Sequence, residues 1–425
     1  MQEASRLPWL IPVRHARMAS NVLSYYRGSP VVMAWDLGNT QNSNIEVQLC
    51  GDCHLGNFGF YASPELTLQF DINDFDETAK GPFDWDVKRL VVSMILAARV
   101  NDFPEEAQAR SARSAVRAYR KTIQQLASES SLQAWGHRID VKRVIREMDH
   151  PQLSAHLKKL IAKARNRNSR EAASKLCETS SDGELRIRHL PPLIWRHELL
   201  DQQWTENRHW REHVDTIYQS YLASVRAELR HFLTQMDLVD VAIKAVGVGS
   251  VGTRCAIALF RGREHEDDLL MMQSKEAEAS VLAPYATSPS PVHHGQRVVE
   301  GQRLMQTTSD PCLGWTSTTG ERRHYYWRLL RNWKGSVDVA NLDARGLELY
   351  GSLCGRVLAK AHARSGSRRA IAAYLGEGKS FDRAMLNYAF AYADQNETDY
   401  AAFMQAIYTG RLISDGINIE HGQAT

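Results

Sequence analysis

The sequence predicts a mixed α+β protein in which a small antiparallel sheet interrupts a mainly helical chain. Two observations carry that expectation. Near residue 238 the apolar pattern changes from helical spacing to short strand-like runs, Asp240–Gly247 (DVAIKAVG), Arg254–Phe260 (RCAIALF) and Leu269–Ser274 (LLMMQS), spaced as an antiparallel meander. Helical spacing then returns over Arg345–Ala363 and most of 380–408. The expected parts are residues 1–237, a small β part over 238–335 and a helical part over 336–425.

Arg14–Tyr26 predicts a short helix, closed by Arg27-Gly28-Ser29-Pro30. Glu46–Cys50 and Leu66–Ile72 predict strands flanking a turn-rich loop. Trp85–Val100 predicts a buried helix, and further helices are expected near 104–128, 150–166 and 206–236. Asn166–Ser181, polar and rich in Ser and Arg, reads as an excursion from the packed chain. Within the β part, Gly295–Gln306 predicts a helix and Tyr325–Leu330 a strand.

Composition narrows the class. Over 425 residues, 43% hydrophobic and 24% charged side chains exclude a disordered chain and leave room for two or three domains. A net charge of +3 gives no bulk attraction for nucleic acid. The basic stretch Lys158–Arg170 has few interleaved aromatics and reads as a solvated helix face, so no nucleic-acid partner is expected. No apolar run approaches the roughly 18 residues of a membrane span, and the first residues carry no cleavage signal. A cytoplasmic protein without a membrane partner is expected, and six sparse cysteines fit a reducing compartment. The Cys50–Cys53 pair has no second pair to complete a zinc site and is read as incidental.

The densest chemistry lies between Gly51 and Asp86, in GDCHLGN (51–57), FDINDFD (70–76) and GPFDWD (81–86). Asp and Asn on loops at strand ends are the hard oxygen ligands that Mg²⁺ prefers. Phosphoryl transfer needs one Asp for the acceptor hydroxyl and an Asn with a second Asp for the metal. Asp52, Asn57 and Asp74 supply that set in order. Asp71, Asp74 and Asp76 crowd carboxylates beside an apolar strand, which calls for a cation and makes Asp76 a further metal ligand. Turn propensity alone also explains Asp, Asn and Gly in such loops. His54 joins Asp52 as a catalytic-loop candidate, expected to orient the loop. Asp86 either caps a helix or braces the loop from behind.

A second constellation, Gly247-Val248-Gly249-Ser250-Val251-Gly252, is a GxGxxG followed through Thr253 by a strand rather than a helix. A glycine turn between antiparallel strands lets backbone amides approach phosphates, which makes Gly247, Gly249, Ser250, Gly252 and Thr253 nucleotide-binding candidates. Lys275 ends a following strand, in reach of the same phosphates. Glu300, in the next helix, is its expected partner, with Glu276 and Glu278 as competitors.

Together these residues resemble the protein-kinase-like superfamily, in particular its aminoglycoside and choline phosphotransferase branch. Gly51–Asn57, Asn73–Asp76 and Trp85-Asp86-Val87 stand where that branch carries its catalytic loop and metal motif. The chain also resembles the uncharacterised bacterial domain-of-unknown-function family 2252, through GDCHLGNFGFY, FDINDFDETAKGPFDWDVKRL, VGVGSVGTRC, RVVEGQRLMQ and AHARSG. The kinase resemblance implies a two-lobe fold, and the early catalytic loop implies circular permutation, with Leu347–Ala363 packed beside Trp85–Val100. It implies Asp52 as base, Asn57 and Asp74 on metal, and Lys275 with Glu300 on the phosphates. Tyr325–Leu330 becomes the strand whose backbone binds adenine. The expected function is an ATP- and Mg²⁺-dependent phosphotransferase acting on a small-molecule or protein hydroxyl. A protein adenylyltransferase using the same site and a nucleotide-binding pseudokinase module are the alternatives.

Overall fold

The computed structural model describes residues 6–140, 144–146, 149–191, 193–196, 210–244, 252–265, 267–289, 291–318 and 323–414. Three short helices come first, α1 (Ile11–Met18), α2 (Val22–Gly28) and α3 (Pro30–Gly38). The single helix expected over Arg14–Tyr26 is two, because the Asn21 side chain accepts the Ser24 N–H at 2.8 Å and starts a new capped helix. The strands β1 (Glu46–Leu49), β2 (Phe58–Ala62), β3 (Leu68–Ile72) and β4 (Ala79–Pro82) follow. β1 pairs with β4 and β2 with β3, both antiparallel. The two strands expected here are therefore not neighbours. β2 lies inside the supposed turn-rich loop and is buried along its whole length, so it shows no period-two alternation to read.

The longest apolar run folds as α4 (Phe83–Val100), buried from Phe83 through Ala98, and is followed by α5 (Glu105–Ser128) and α6 (Ser131–Gly136). Then come α7 (Pro151–Arg165), α8 (Ser169–Leu176) and a hairpin of β5 (Cys177–Thr179) and β6 (Leu185–Ile187). Asn166–Ser181 is thus a folded element rather than an excursion. Asn168 caps α8, and Ala172 and Ala173 are buried with Ile257, Leu259 and Met271. On α7, Lys158, Lys159, Lys163 and Arg165 are exposed, as a solvated face requires.

A six-stranded antiparallel sheet contains β7 (Ile194–Arg196), β8 (Met236–Lys244), β9 (Cys255–Gly262), β10 (Leu269–Ala277), β11 (Gly314–Ser317) and β12 (His324–Leu329), in the order β11-β12-β10-β9-β8-β7. The helix expected over 206–236 breaks into α9 (Trp210–Ser224) and α10 (Ala227–Leu233), and β8 already begins at Met236. Side chains alternate across the sheet: Ala258 and Phe260 pack toward Tyr218 and Tyr221 of α9, while Ile257 and Leu259 pack toward α8. α11 (His294–Met305) connects β10 to β11, and β13 (Gly335–Ser336) extends the β2–β3 ladder.

The chain closes with α12 (Ala344–Ser365), α13 (Arg368–Leu375) and α14 (Ser380–Tyr408). α12 packs on α4 and α5 in one core that joins the first and last parts of the sequence. A Cβ on Gly355 would meet the Ala115 carbonyl at 2.1 Å, so glycine sets how closely α12 approaches α5. Among the described residues no helix is long and apolar enough to cross a membrane. All six cysteines are buried and free.

Candidate active site

From β1 the chain turns through Cys50 and Gly51 into the loop that carries Asp52, His54 and Asn57. Gly51 has φ of 87°, and a Cβ there would stand 1.9 Å from the Glu77 carbonyl oxygen, so the turn requires glycine. One face of α4 braces the loop from behind through Asp86, Arg89 and Ser93, three polar residues at helical spacing. Asp86 accepts the Cys50 and Gly51 N–H groups at 2.8 and 3.1 Å, and Ser93 Oγ accepts the Leu55 N–H at 2.9 Å. Arg89 Nε and Nη2 each lie 2.8 Å from Asp52 Oδ1. From α12, His362 Nε2 reaches Asp86 at 3.2 Å and Tyr350 donates to the Leu55 carbonyl at 2.8 Å. Of the two roles open to Asp86, bracing is the one observed.

His54 Nδ1 accepts the Gly56 N–H at 3.1 Å, and its Nε2 lies 3.6 Å from Asp52 Oδ2. Burial, together with the Arg27 and Arg89 charges, holds the imidazole well below its ordinary range. A neutral His54 orients the loop. Asn57 donates through Nδ2 to the Asp52 carbonyl at 2.7 Å, which leaves Oδ1 as its atom for a cation. The backbone of Asn57 accepts the Asn73 N–H at 3.0 Å and so sits beside the acidic strand end.

The expected crowd of three carboxylates is divided. Asp71, on β3, is buried against Lys360 of α12 and takes no part in the cluster. Asp76 is bound by Lys275 Nζ from β10, and it accepts the Tyr326 hydroxyl of β12 at 2.7 Å. Asp74 Oδ1 accepts the Asp76 N–H at 3.3 Å. Burial and then the Asp76 charge raise the Asp74 carboxyl. Burial alone would raise Asp76 too, but Lys275 and the hydrogen bonds from Lys275 and Tyr326 outweigh it and hold Asp76 low. The same charges keep Lys275 protonated against burial.

Lys275 therefore pairs with Asp76, and none of the three expected glutamates takes that place. Glu300 is exposed and accepts from Gln296 at 2.7 Å. The α11 face turned inward carries Arg297 instead, which donates to the carbonyls of Asp76 and Thr78 at 2.8 and 2.5 Å. Glu276 alternates to the other side of β10 and meets Arg323 at 2.9 Å and Arg254 at 3.4 Å. The backbone of Glu278 accepts from Arg297 at 2.7 Å. Gly247, Gly249 and Ser250 lie outside the described residues. Gly252 accepts the Leu7 N–H at 2.8 Å, and Thr253 leads into β9. The adenine-binding backbone expected of Tyr325–Leu330 is occupied over 324–327, where β12 is paired on both sides; side chains of β12 face the cluster instead.

Several residues of the cluster escaped sequence reasoning. Arg328, two places beyond Tyr326 on the same strand face, donates to Gln273 at 3.1 Å and feels the charges of Asp74 and Asp76. Burial, then the neighbouring Arg328 charge, pushes the Lys334 ammonium down to about 7. Arg27, at the end of α2, lies in the field of both Asp52 and Asp74; burial lowers its pKa and those carboxylates partly restore it. The buried Arg27 Nε has no hydrogen-bond partner among the described residues. Tyr326 and Arg328 were legible as alternate residues of a strand, whereas Arg27 carried only a helix-end signal.

Cys50, Cys53 and Asp86 place their ligand atoms within 4.8 Å of one another. The Asp86 oxygens are taken by two backbone amides and His362, and burial raises both thiols, that of Cys53 to about 11. Asp86 thereby braces the corner from which the loop departs.

No curated protein and no solved structure matches the chain. Residues 6–406, which span the bracing helices, the acidic loop and the Lys275 sheet, match a family model described as "Uncharacterized protein conserved in bacteria (DUF2252)", and the chain belongs to that family.

Proposed function

We propose that this chain is an ATP- and Mg²⁺-dependent phosphotransferase acting on a hydroxyl of a small molecule or a protein. The supporting observation is the meeting of Lys275 with the Asp74–Asp76 loop, from positions 199 residues apart. A strand-borne ammonium beside two carboxylates on one loop suits a polyphosphate held through a divalent cation. Arg27 and Arg328 add further positive charge around Asp74, and Lys334 would take up a full charge beside a bound anion. That excess favours an anionic ligand.

The oxygens of Asn57, Asp74 and Asp76 form the hard donor set that would hold Mg²⁺. When bound, the ion would offset negative charge on the nucleotide phosphates. In this reading Lys275 exchanges Asp76 for phosphate oxygens. Asp52, positioned by Arg89 and with 18% of its side chain exposed, receives or orients the acceptor proton. The acceptor oxygen bonds to the γ-phosphorus as the bond to the bridging oxygen of ADP breaks. Arg27, in the field of both Asp52 and Asp74, meets the transferred phosphoryl group, where a cation is worth most.

The test combines calorimetric titration with ATP, with and without Mg²⁺, and incubation with ATP labelled on the γ- or the α-phosphate. Metal-dependent binding is expected, with γ-label transferred and transfer lost in Lys275→Met and Asp52→Asn. Transfer of α-label instead would make the enzyme an adenylyltransferase. Binding without any transfer would make it a regulatory module, and no binding would end the nucleotide reading.

A further inference from the structure

Away from this site, α5, α12 and the segment around His137–Asp140 enclose a groove of about 770 Å³. Seven cationic side chains line it against two carboxylates, Asp140 and Glu348. Arg110, Arg113, Arg117 and Lys121 recur along one exposed face of α5, a row of roughly 16 Å at 1.5 Å rise per residue. Arg345 and Arg356 mark a row of similar length on α12, and Arg138 lies on the third wall. The helices run side by side in the same direction, since Ser114 donates to the Glu348 carbonyl at 2.6 Å and Tyr119 meets His362 at 2.9 Å. The two rows therefore face one groove along its length.

The fold does not consume this charge. Arg110 and Arg345 each have a carboxylate on their own helix, Glu106 at 3.0 Å and Glu348 at 2.7 Å. Arg113, Arg117, Lys121 and Arg356 are exposed and make no hydrogen bond or ion pair with any described residue. Like charges gathered at helical spacing cost free energy until an anion joins them.

We propose that this groove is a binding site for a multiply phosphorylated small molecule. Its volume falls in the range of small-ligand sites, about 300–1,000 Å³, and it is walled on three sides. Six of the seven cations are arginines, whose planar fork matches phosphate oxygens in pairs. No Trp, Tyr or Phe lines the groove, so it lacks the row of large aromatic faces on which a single-stranded nucleic acid stacks its bases.

The experiment titrates the full chain with myo-inositol hexakisphosphate and, in parallel, inorganic tripolyphosphate, by calorimetry at about 0.1 M salt. One saturable site is expected, and the tighter probe distinguishes a ring-borne phosphate cluster from a linear one. Arg113→Ala/Arg117→Ala and, separately, Arg356→Ala should each weaken binding about tenfold or more, the loss of a charge-assisted contact. Their thermal midpoints should stay at the wild-type value, because these side chains are exposed. Lys158→Ala/Lys159→Ala/Lys163→Ala on α7 should leave affinity unchanged. Absence of saturable binding overturns the proposal, as does equal weakening by the α7 variant, which would mean bulk attraction. Tighter binding of a single-stranded RNA oligonucleotide than of either phosphate probe would assign the surface to nucleic acid and overturn it too.

Discussion

Replacing Glu77 by Gln should stabilise the protein at pH 8 far more than at pH 5. Glu77 follows the acidic loop directly. Its Oε2 accepts the Val281 N–H at 2.7 Å, and its carbonyl accepts Ser280 Oγ at 2.7 Å, tying that loop to the segment after β10. Burial, only partly offset by the Val281 amide and the Arg297 charge, lifts the carboxyl from 4.5 to about 7. A raised folded-state pKa means that the native protein holds its proton while the unfolded chain has lost it. The contribution to stability is therefore complete below pH 4.5, falls as pH rises toward about 7, and is flat beyond. At about 1.4 kcal/mol per pKa unit, the interval from 4.5 to about 7 corresponds to ~3 kcal/mol. Glu77 is only partly buried, and solvent screening brings the working expectation to about 2 kcal/mol. Gln keeps an acceptor oxygen for Val281 and carries no titrating charge. Urea unfolding of both proteins at several pH values between 5 and 8 should show the difference growing by roughly 1.5 kcal/mol in favour of the variant, the first quarter of the effect lying below pH 5. A difference that stays constant across the range would refute a buried, protonated Glu77.

Three other expectations can be checked in the same way. Lys360 and Asp71 are 1% and 4% exposed, so Lys360→Met should cost about 3–5 kcal/mol in urea unfolding, and adding Asp71→Asn should recover most of it; a double variant no more stable than the single would show that the pair is not the cause. Asp74→Asn should abolish the Mg²⁺ dependence of ATP binding in calorimetry, and unchanged Mg²⁺-ATP affinity would move the metal role elsewhere. Arg27→Met should leave Mg²⁺-ATP affinity intact while lowering the transfer rate by about 10³-fold, the magnitude associated with a transition-state arginine; equal losses in binding and rate would make Arg27 a ground-state contact.

The sequence by itself determined the element types wherever an apolar run had a telling length or period. The antiparallel meander was legible as short apolar runs bounded by turn residues, α4 as an apolar run too long for a strand, and the long C-terminal helices by apolar residues at helical spacing. β2 was not, since it is a five-residue run without alternation set between turn-forming segments, and α8 was hidden because its polar face dominates its composition. The chemistry of the loop residues Asp52, Asn57, Asp74 and Asp76 could also be read, because short polar residues clustered beside strands are locally unusual.

Which of them meet was decided only by the tertiary structure. Lys275 is legible in the sequence, but the partners that the sequence offers it are Glu276, Glu278 and Glu300. Strand alternation turns Glu276 away, the helical period turns Glu300 out to solvent, and the chain's return brings Asp76 to the ammonium. Asp71 likewise looked like part of the cluster until α12, nearly 300 positions later, supplied Lys360. That the arginine rows of α5 and α12 face each other, and that Arg27 lies in the field of Asp52 and Asp74, has no local signature. Charge interactions act through space and depend on burial, and neither separation in space nor burial is written in the order of residues.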